Sequence, residues 1–328
     1  MVHRISIILT LIIFFSNVLK AQDAEFSQFY ANPLYLNPAL AGADICKRAI
    51  LNYRNQWPNM TSQYISYNAS YDQYAPKLHG GIGVLMNLDD AGGGILRTFQ
   101  ASLIYSYTLR VANDLFFNMA MQGTLYQKYL NWNLLKFGDQ IDPSMGFVNP
   151  TQDKPPDYNS IIFPDFDAGL IFGWKGVLHG GIAVHHLTQP NMAYYVNNDN
   201  RLPMKITGHF GVNINPNGEG MYFDPIFWIA PNILYQQQGE FHQFNSGLYV
   251  IRLPLVLGTW YRFNFENSDA VIALVGLQYD HWKIGYSYDM TLSKLRNDSG
   301  GAHEISLTYT WDCIPKLREV FPYAAPGF

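Results

Sequence analysis

Charge is what this sequence has least of. Only 14% of its 328 residues are Asp, Glu, Lys or Arg, against about 25% in an ordinary soluble domain. The chain is nevertheless not apolar overall, with a mean hydropathy of −0.08. The net charge is −4, the pI is near 6.1, and no cluster of Lys and Arg occurs, which excludes a nucleic-acid binder that works through a basic patch. There are two cysteines, Cys46 and Cys313, and neither zinc-spaced Cys pairs nor a His-Glu-x-x-His motif. A Gly-x-Ser-x-Gly nucleophile elbow is also missing. No apolar run reaches the roughly 20 residues that a membrane-spanning helix needs. Together these absences argue for a non-enzymatic protein with no cofactor, no metal and no nucleic-acid partner.

What the sequence does have is aromatic and glycine content: 16% aromatic residues, with 23 Tyr and 21 Phe, and 27 Gly. Low charge without overall apolarity fits strands that show one face to lipid and the other to water. At the N-terminus, His3 and Arg4 precede an apolar run from Ile5 to Phe15, and a cleavage site follows Ala21. The pattern reads as a signal peptide over residues 1–21. The alternative, an anchoring helix, has too short a run.

After Ala43 the chain reads as short segments of period-2 alternation separated by Gly, Asn, Asp and Pro. Trp282, Ile284, Tyr286 and Tyr288 fall on one face, and Lys283, Gly285, Ser287 and Asp289 on the other. In the first half, strands are expected at 47–57, 63–72, 79–87, 96–110, 114–129, 165–174 and 177–187. The second half adds 205–213, 227–237, 240–251, 256–265, 269–279, 282–289 and 302–310. The expected fold is therefore an all-β, transmembrane antiparallel barrel of about 14 strands over residues 46–312. A soluble β-sandwich is the competing architecture.

Connection lengths test the count, because bacterial barrels alternate short periplasmic turns with longer external loops. With the first strand starting in the periplasm, the long stretches 130–164, 188–204 and 290–301 fall outside. The tight turns Lys175-Gly176, Leu253-Pro254 and Asp280-His281 fall inside, while 214–226 is longer than its position allows. Both termini are then periplasmic, with residues 313–328 as a tail. Cys46 precedes the first strand and Cys313 follows the last, so the two can meet across the closing seam. The pair then forms a disulfide or remains as two thiols.

Several other residues invite a chemical reading. His185 and His186 are expected on opposite faces of a strand, unable to share a metal. His209 and His303 read as interior structural histidines, since no base-and-orienter partner can be assigned to either. Asp89, Asp90, Asp139 and Asp142 follow no calcium-loop spacing and read as solvated loop residues. Gly80, Gly81 and Gly83 sit in a strand, where glycine permits a bend or a close backbone approach.

Residues 22–45 are of a different kind. Gln22-Asp23-Ala24-Glu25-Phe26-Ser27-Gln28-Phe29-Tyr30-Ala31-Asn32-Pro33 continues as Leu34-Tyr35-Leu36-Asn37-Pro38-Ala39-Leu40-Ala41-Gly42. Its two Asn-Pro steps favour successive turns. The aromatic content favours an ordered element, docked in the lumen or on the periplasmic rim, over a disordered linker.

The segment resembles the start of the PorP/SprF family of type IX secretion proteins of Bacteroidetes. Phe26, Gln28, Asn32, Pro33, Leu36, Asn37, Pro38 and Gly42 carry the match, and the resemblance makes them a candidate partner-binding motif. It implies a barrel in the outer membrane of a Gram-negative bacterium, in contact with outer-membrane lipid. Implied partners are a secreted adhesin of the gliding-motility kind or its C-terminal sorting domain, type IX components, and a peptidoglycan-binding periplasmic protein. A porin-like channel for small solutes is the alternative, since fold does not fix function.

Overall fold

The structure, a computed structural model, describes residues 23–44, 46–112, 114–215, 227–264, 268–292 and 299–311. The signal-peptide reading, Cys313 and the tail therefore lie outside the described residues. Alternating side chains give β1 (Arg48–Gln56), β2 (Tyr64–Ala75), β3 (Gly80–Ala91), β4 (Leu96–Ala112) and β5 (Leu115–Leu130). A small hairpin, β6 (Ile141–Asp142) and β7 (Gly146–Phe147), stands inside the next connection. Then come β8 (Ser160–Trp174), β9 (Leu178–His185), β10 (Lys205–Val212), β11 (Trp228–Gln238) and β12 (Phe241–Arg252). The series ends with β13 (Leu255–Phe263), β14 (Ser268–Tyr279), β15 (Trp282–Thr291) and β16 (Ala302–Thr310).

All but β6 and β7 join one closed antiparallel barrel of 14 strands. It is sealed by β1 on β16, from Arg48 opposite Thr310 to Gln56 opposite Ala302. No helix among the described residues is long and apolar enough to cross a membrane; the strands do it.

The period of two decides which side chains meet lipid. On β4 and β5, Leu103 is 72% exposed and Met121 65% exposed, whereas the intervening Ser102, Ile104, Gln122 and Thr124 are buried. A continuous apolar outer wall is tolerable only in hydrocarbon. Aromatic side chains mark both edges of that wall. Tyr67, Phe99, Tyr129, Tyr261 and Tyr286 lie toward one mouth, and Tyr105, Tyr107, Trp174, Tyr279 and Trp282 toward the other.

The two mouths differ. One carries residues 131–159 and 186–204, and the other carries mostly short turns such as Lys175-Gly176 and Asp280-His281. The two-residue link between β11 and β12 is a short connection at the long-loop mouth. Several strand ends move from their expected places. β3 continues to Ala91, so Asp89 and Asp90 are strand residues, and Asp90 holds Arg97 on β4 at 2.9 Å. β8 begins at Ser160, because Pro164 is carried within the strand opposite Leu125. Asp139 and Asp142 do lie in the loop, where Asp142 accepts from the Ser144 and Met145 amides at 2.8 and 2.9 Å.

Candidate functional site: a luminal plug

The segment before β1 fills the barrel. Its three turns follow from the sequence. A 3-10 turn, Phe29–Ala31, leads to one helical turn, Pro33–Leu36, and a second 3-10 turn, Pro38–Leu40. Proline opens each of the last two, where its fixed φ suits a first helical position and its missing N–H costs nothing. The Asn37 side chain then accepts from the Ala39 amide at 3.0 Å, closing the second turn as a cap. Gly42 leaves the last turn at φ +67°, a conformation that glycine adopts without strain.

The eight motif residues are all buried, with Phe26 3% exposed and Gln28 and Asn37 fully enclosed. They and their neighbours hold the wall at three levels. Nearest the long-loop mouth, Glu304 accepts from the Ser27 and Gln28 amides at 2.6 and 3.1 Å and from Arg54 at 3.2 Å. Asp289 accepts from the Ser27 hydroxyl at 2.5 Å, from Arg54 at 3.0 Å and from Arg262 at 3.1 Å. Buried charges of this kind are tolerable because they are paired and hydrogen-bonded. Midway, Phe29 meets Trp260 edge to face at 5.1 Å, and the Tyr30 hydroxyl donates to Asn232 at 3.0 Å. Toward the short-turn mouth, the Gly42 amide donates to Asp72 at 2.7 Å and Ser106 donates to the Ala41 carbonyl at 2.7 Å.

Glycines in the wall make room for this contact. A Cβ on Gly81 would collide with the Ala41 carbonyl and Gly42, and one on Gly169 would strike the Asn37 side chain. The close backbone approach expected around Gly80–Gly83 is thus the approach of the plug.

The plug also runs in an unexpected direction. Asp23 lies at the long-loop mouth, where its backbone N–H donates to Gln238 at 3.0 Å and Lys205 stands 3.9 Å away. The barrel's own ends, Arg48 and Thr310, pair at the opposite mouth. Shared sidedness, expected for both termini, therefore holds for the strand ends and not for Asp23.

Asp23 is held there by His186. Strand alternation was expected to put His185 and His186 on opposite faces, but β9 stops at His185 and His186 takes φ +60°. That turn brings both rings inside. The His186 ring lies between Asp23, 2.8 Å from Nε2, and Asp165, 2.6 Å from Nδ1. Burial alone would lower its pKa, but Asp23 and Asp165 outweigh it and push the ring up to about 10. Burial likewise opposes ionisation of Asp23, yet His186 and Lys205 hold that carboxyl far below the usual range. His186 is thus an imidazolium that bridges plug and wall. Asp165, Asp167 and His186 bring potential metal-ligating atoms within 4.8 Å of one another, but His186 spends both ring nitrogens on the bridge.

His209 is interior as expected, 3.3 Å from the Asn37 amide. His303 is not interior: it faces outward on β16 beside Tyr286, whose hydroxyl lies 2.8 Å from Nδ1, because the inward positions of that strand are Ala302, Glu304 and Ser306. Sequence reading did not single out Arg54, Arg262, Asp289 or Glu304. A charge at an inward strand position was the available signal, but not its partner. Above the plug, on the long-loop side, a vestibule of about 440 Å³ remains, floored by Asp23, Ala24 and Glu25.

Comparison with solved structures places the fold among outer-membrane barrels. The Ralstonia pickettii toluene transporter TbuX is 10% identical with a TM-score of 0.52, over 85% of this chain and 93% of that one. CymD, a monoaromatic hydrocarbon channel, is 12% identical with a TM-score of 0.52, over 88% of this chain and 95% of that one. At such identities the likeness is one of fold alone. No curated protein matches the chain. Residues 18–309 match the model of the type IX secretion system membrane protein PorP/SprF, a span that takes in both plug and barrel, and the chain belongs to that family.

Proposed function

We propose that this outer-membrane barrel is a non-enzymatic holder of protein in type IX secretion, supporting export or surface attachment of a secreted adhesin-like protein or docking periplasmic machinery. One observation carries the reading: the family's own N-terminal motif occupies the lumen, with Leu34, Asn37 and Ala39 at 0% exposure. A barrel stoppered from within is poorly suited to passing solutes, so the porin-like alternative is disfavoured. Buried motif residues offer a partner little direct surface. Their role in this reading is to set the plug, and with it the loops that a partner meets.

The long loops are assigned to the cell exterior and the paired ends Arg48 and Thr310 to the periplasm, as in other bacterial barrels. Asp23 then faces outward. Cys46, buried just before β1, is assigned to a disulfide with Cys313 at the periplasmic seam. The experiment is purification of the tagged protein from its native membrane. A secreted adhesin or a type IX component should accompany it, and recovery of the barrel alone under mild extraction would contradict the proposal.

A further inference from the structure

The vestibule has a composition that plug-holding does not require. Trp57 and Tyr64 face it from the β1–β2 corner, edge to face at 5.4 Å, and Phe241 on β12 also lines it. Gln56, Gln236 and Gln238 line it too. Asp89 on β3 and Lys128 on β5 enter the same space without meeting. Asp89 accepts from the Ser66 hydroxyl at 2.6 Å. The Lys128 ammonium has Met192 Sδ, at 3.2 Å, as its hydrogen-bond partner among the described residues.

The lining acids Asp23, Glu25 and Asp89 are balanced by Arg54, Lys128 and Lys205, so the cavity selects no net charge. Its occupant must accept from an ammonium and donate to a carboxylate through few atoms, and must present an apolar surface to the aromatic rings. A hydroxyl donates and accepts on one atom, and a pyranose carries several around a ring with an apolar C–H face. A polypeptide is usually read through a free strand edge, a helix groove or a backbone nest. The closed barrel wall offers no free edge here.

We propose that the vestibule is a binding site for a neutral carbohydrate, a mono- or disaccharide unit stacked on Trp57 and hydrogen-bonded to Lys128 and Asp89. Its volume of about 440 Å³ lies in the range of small-molecule sites. The site is independent of protein retention. It is tested by saturation-transfer NMR on the whole mature chain in a sugar-free zwitterionic detergent, with maltose, chitobiose and mannobiose as probes. At least one probe should show transfer, strongest at ring C–H protons. Trp57→Ala and Lys128→Met should each weaken it about tenfold, the scale of a lost aromatic contact for the first and of a lost hydrogen bond to a charged group for the second, in variants that still migrate as heat-modifiable barrels. Absence of transfer to all three, or transfer that survives both substitutions, overturns the proposal. So does Lys128-dependent binding of short peptides in place of the sugars.

Discussion

Glu304→Gln tests how the plug is held. The side chain is fully buried and keeps its shape in the variant, but it loses the charge that draws the Ser27 and Gln28 amides of the plug to 2.6 and 3.1 Å. A hydrogen bond to a charged group contributes about 1.5–3 kcal/mol, roughly twice a neutral one. Weakening these two to neutral strength costs about 2 kcal/mol. The Arg54 pairs with Glu304 and Asp289 lie within the wall and are present whether or not the plug is docked, so they add little to this cost. Opening of the plug should then become about thirtyfold more frequent. Amide hydrogen exchange of residues 27–42 reads this directly, with β15 and β16 amides as the internal control. Acceleration under threefold would refute the reasoning, and so would equal acceleration in the strands, since the plug would then not open as its own unit.

Three further outcomes follow. His186 is raised from 6.5 to about 10 in the folded chain. Its contribution to docking is therefore full below pH 6.5, declines as pH rises and is gone above about 10. The depressed Asp23 acts oppositely, contributing above about pH 4 and losing that contribution as pH falls further. Protection at residues 23–26, measured against the intrinsic base-catalysed exchange rate, should thus be highest at about pH 4–6.5 and fall toward 10, and His186→Gln should abolish that alkaline fall; a wild-type protection profile flat above pH 6.5 would contradict the bridge. Gly81→Ala should displace the plug near Ala41 at a cost of about 1–3 kcal/mol, seen as proteolytic cleavage near Gly42, and a variant as resistant as the parent would remove the close-approach argument. If Cys46 and Cys313 pair, trypsin-cut mature protein should give linked N- and C-terminal fragments that separate only on reduction, and identical gels with and without reductant would refute the pairing.

Strand number was legible because lipid on one side and a polar lumen on the other impose a strict period of two, as in Trp282 to Asp289. Boundaries slipped where local chemistry imitates a loop, at Asp89-Asp90 and at Pro164. The plug was legible as an ordered element from its Asn-Pro steps, and the wall glycines announced a close approach without naming what approached. The plug's direction was not legible. It depends on contacts between residues far apart in the chain, such as Asp23 with His186 and Ser27 with Glu304. The left-handed turn at His186 was hidden for a related reason, since nothing local to His185-His186 forces φ to +60°.

The claim that this barrel's lumen is closed by its own N-terminal segment, the observation on which the protein-holding reading rests, is tested most directly by planar-bilayer recording of the purified mature protein. The wild type should show no sustained conductance, and Glu304→Gln should show brief openings as the plug loosens. Steady channel openings in the wild type would contradict the account.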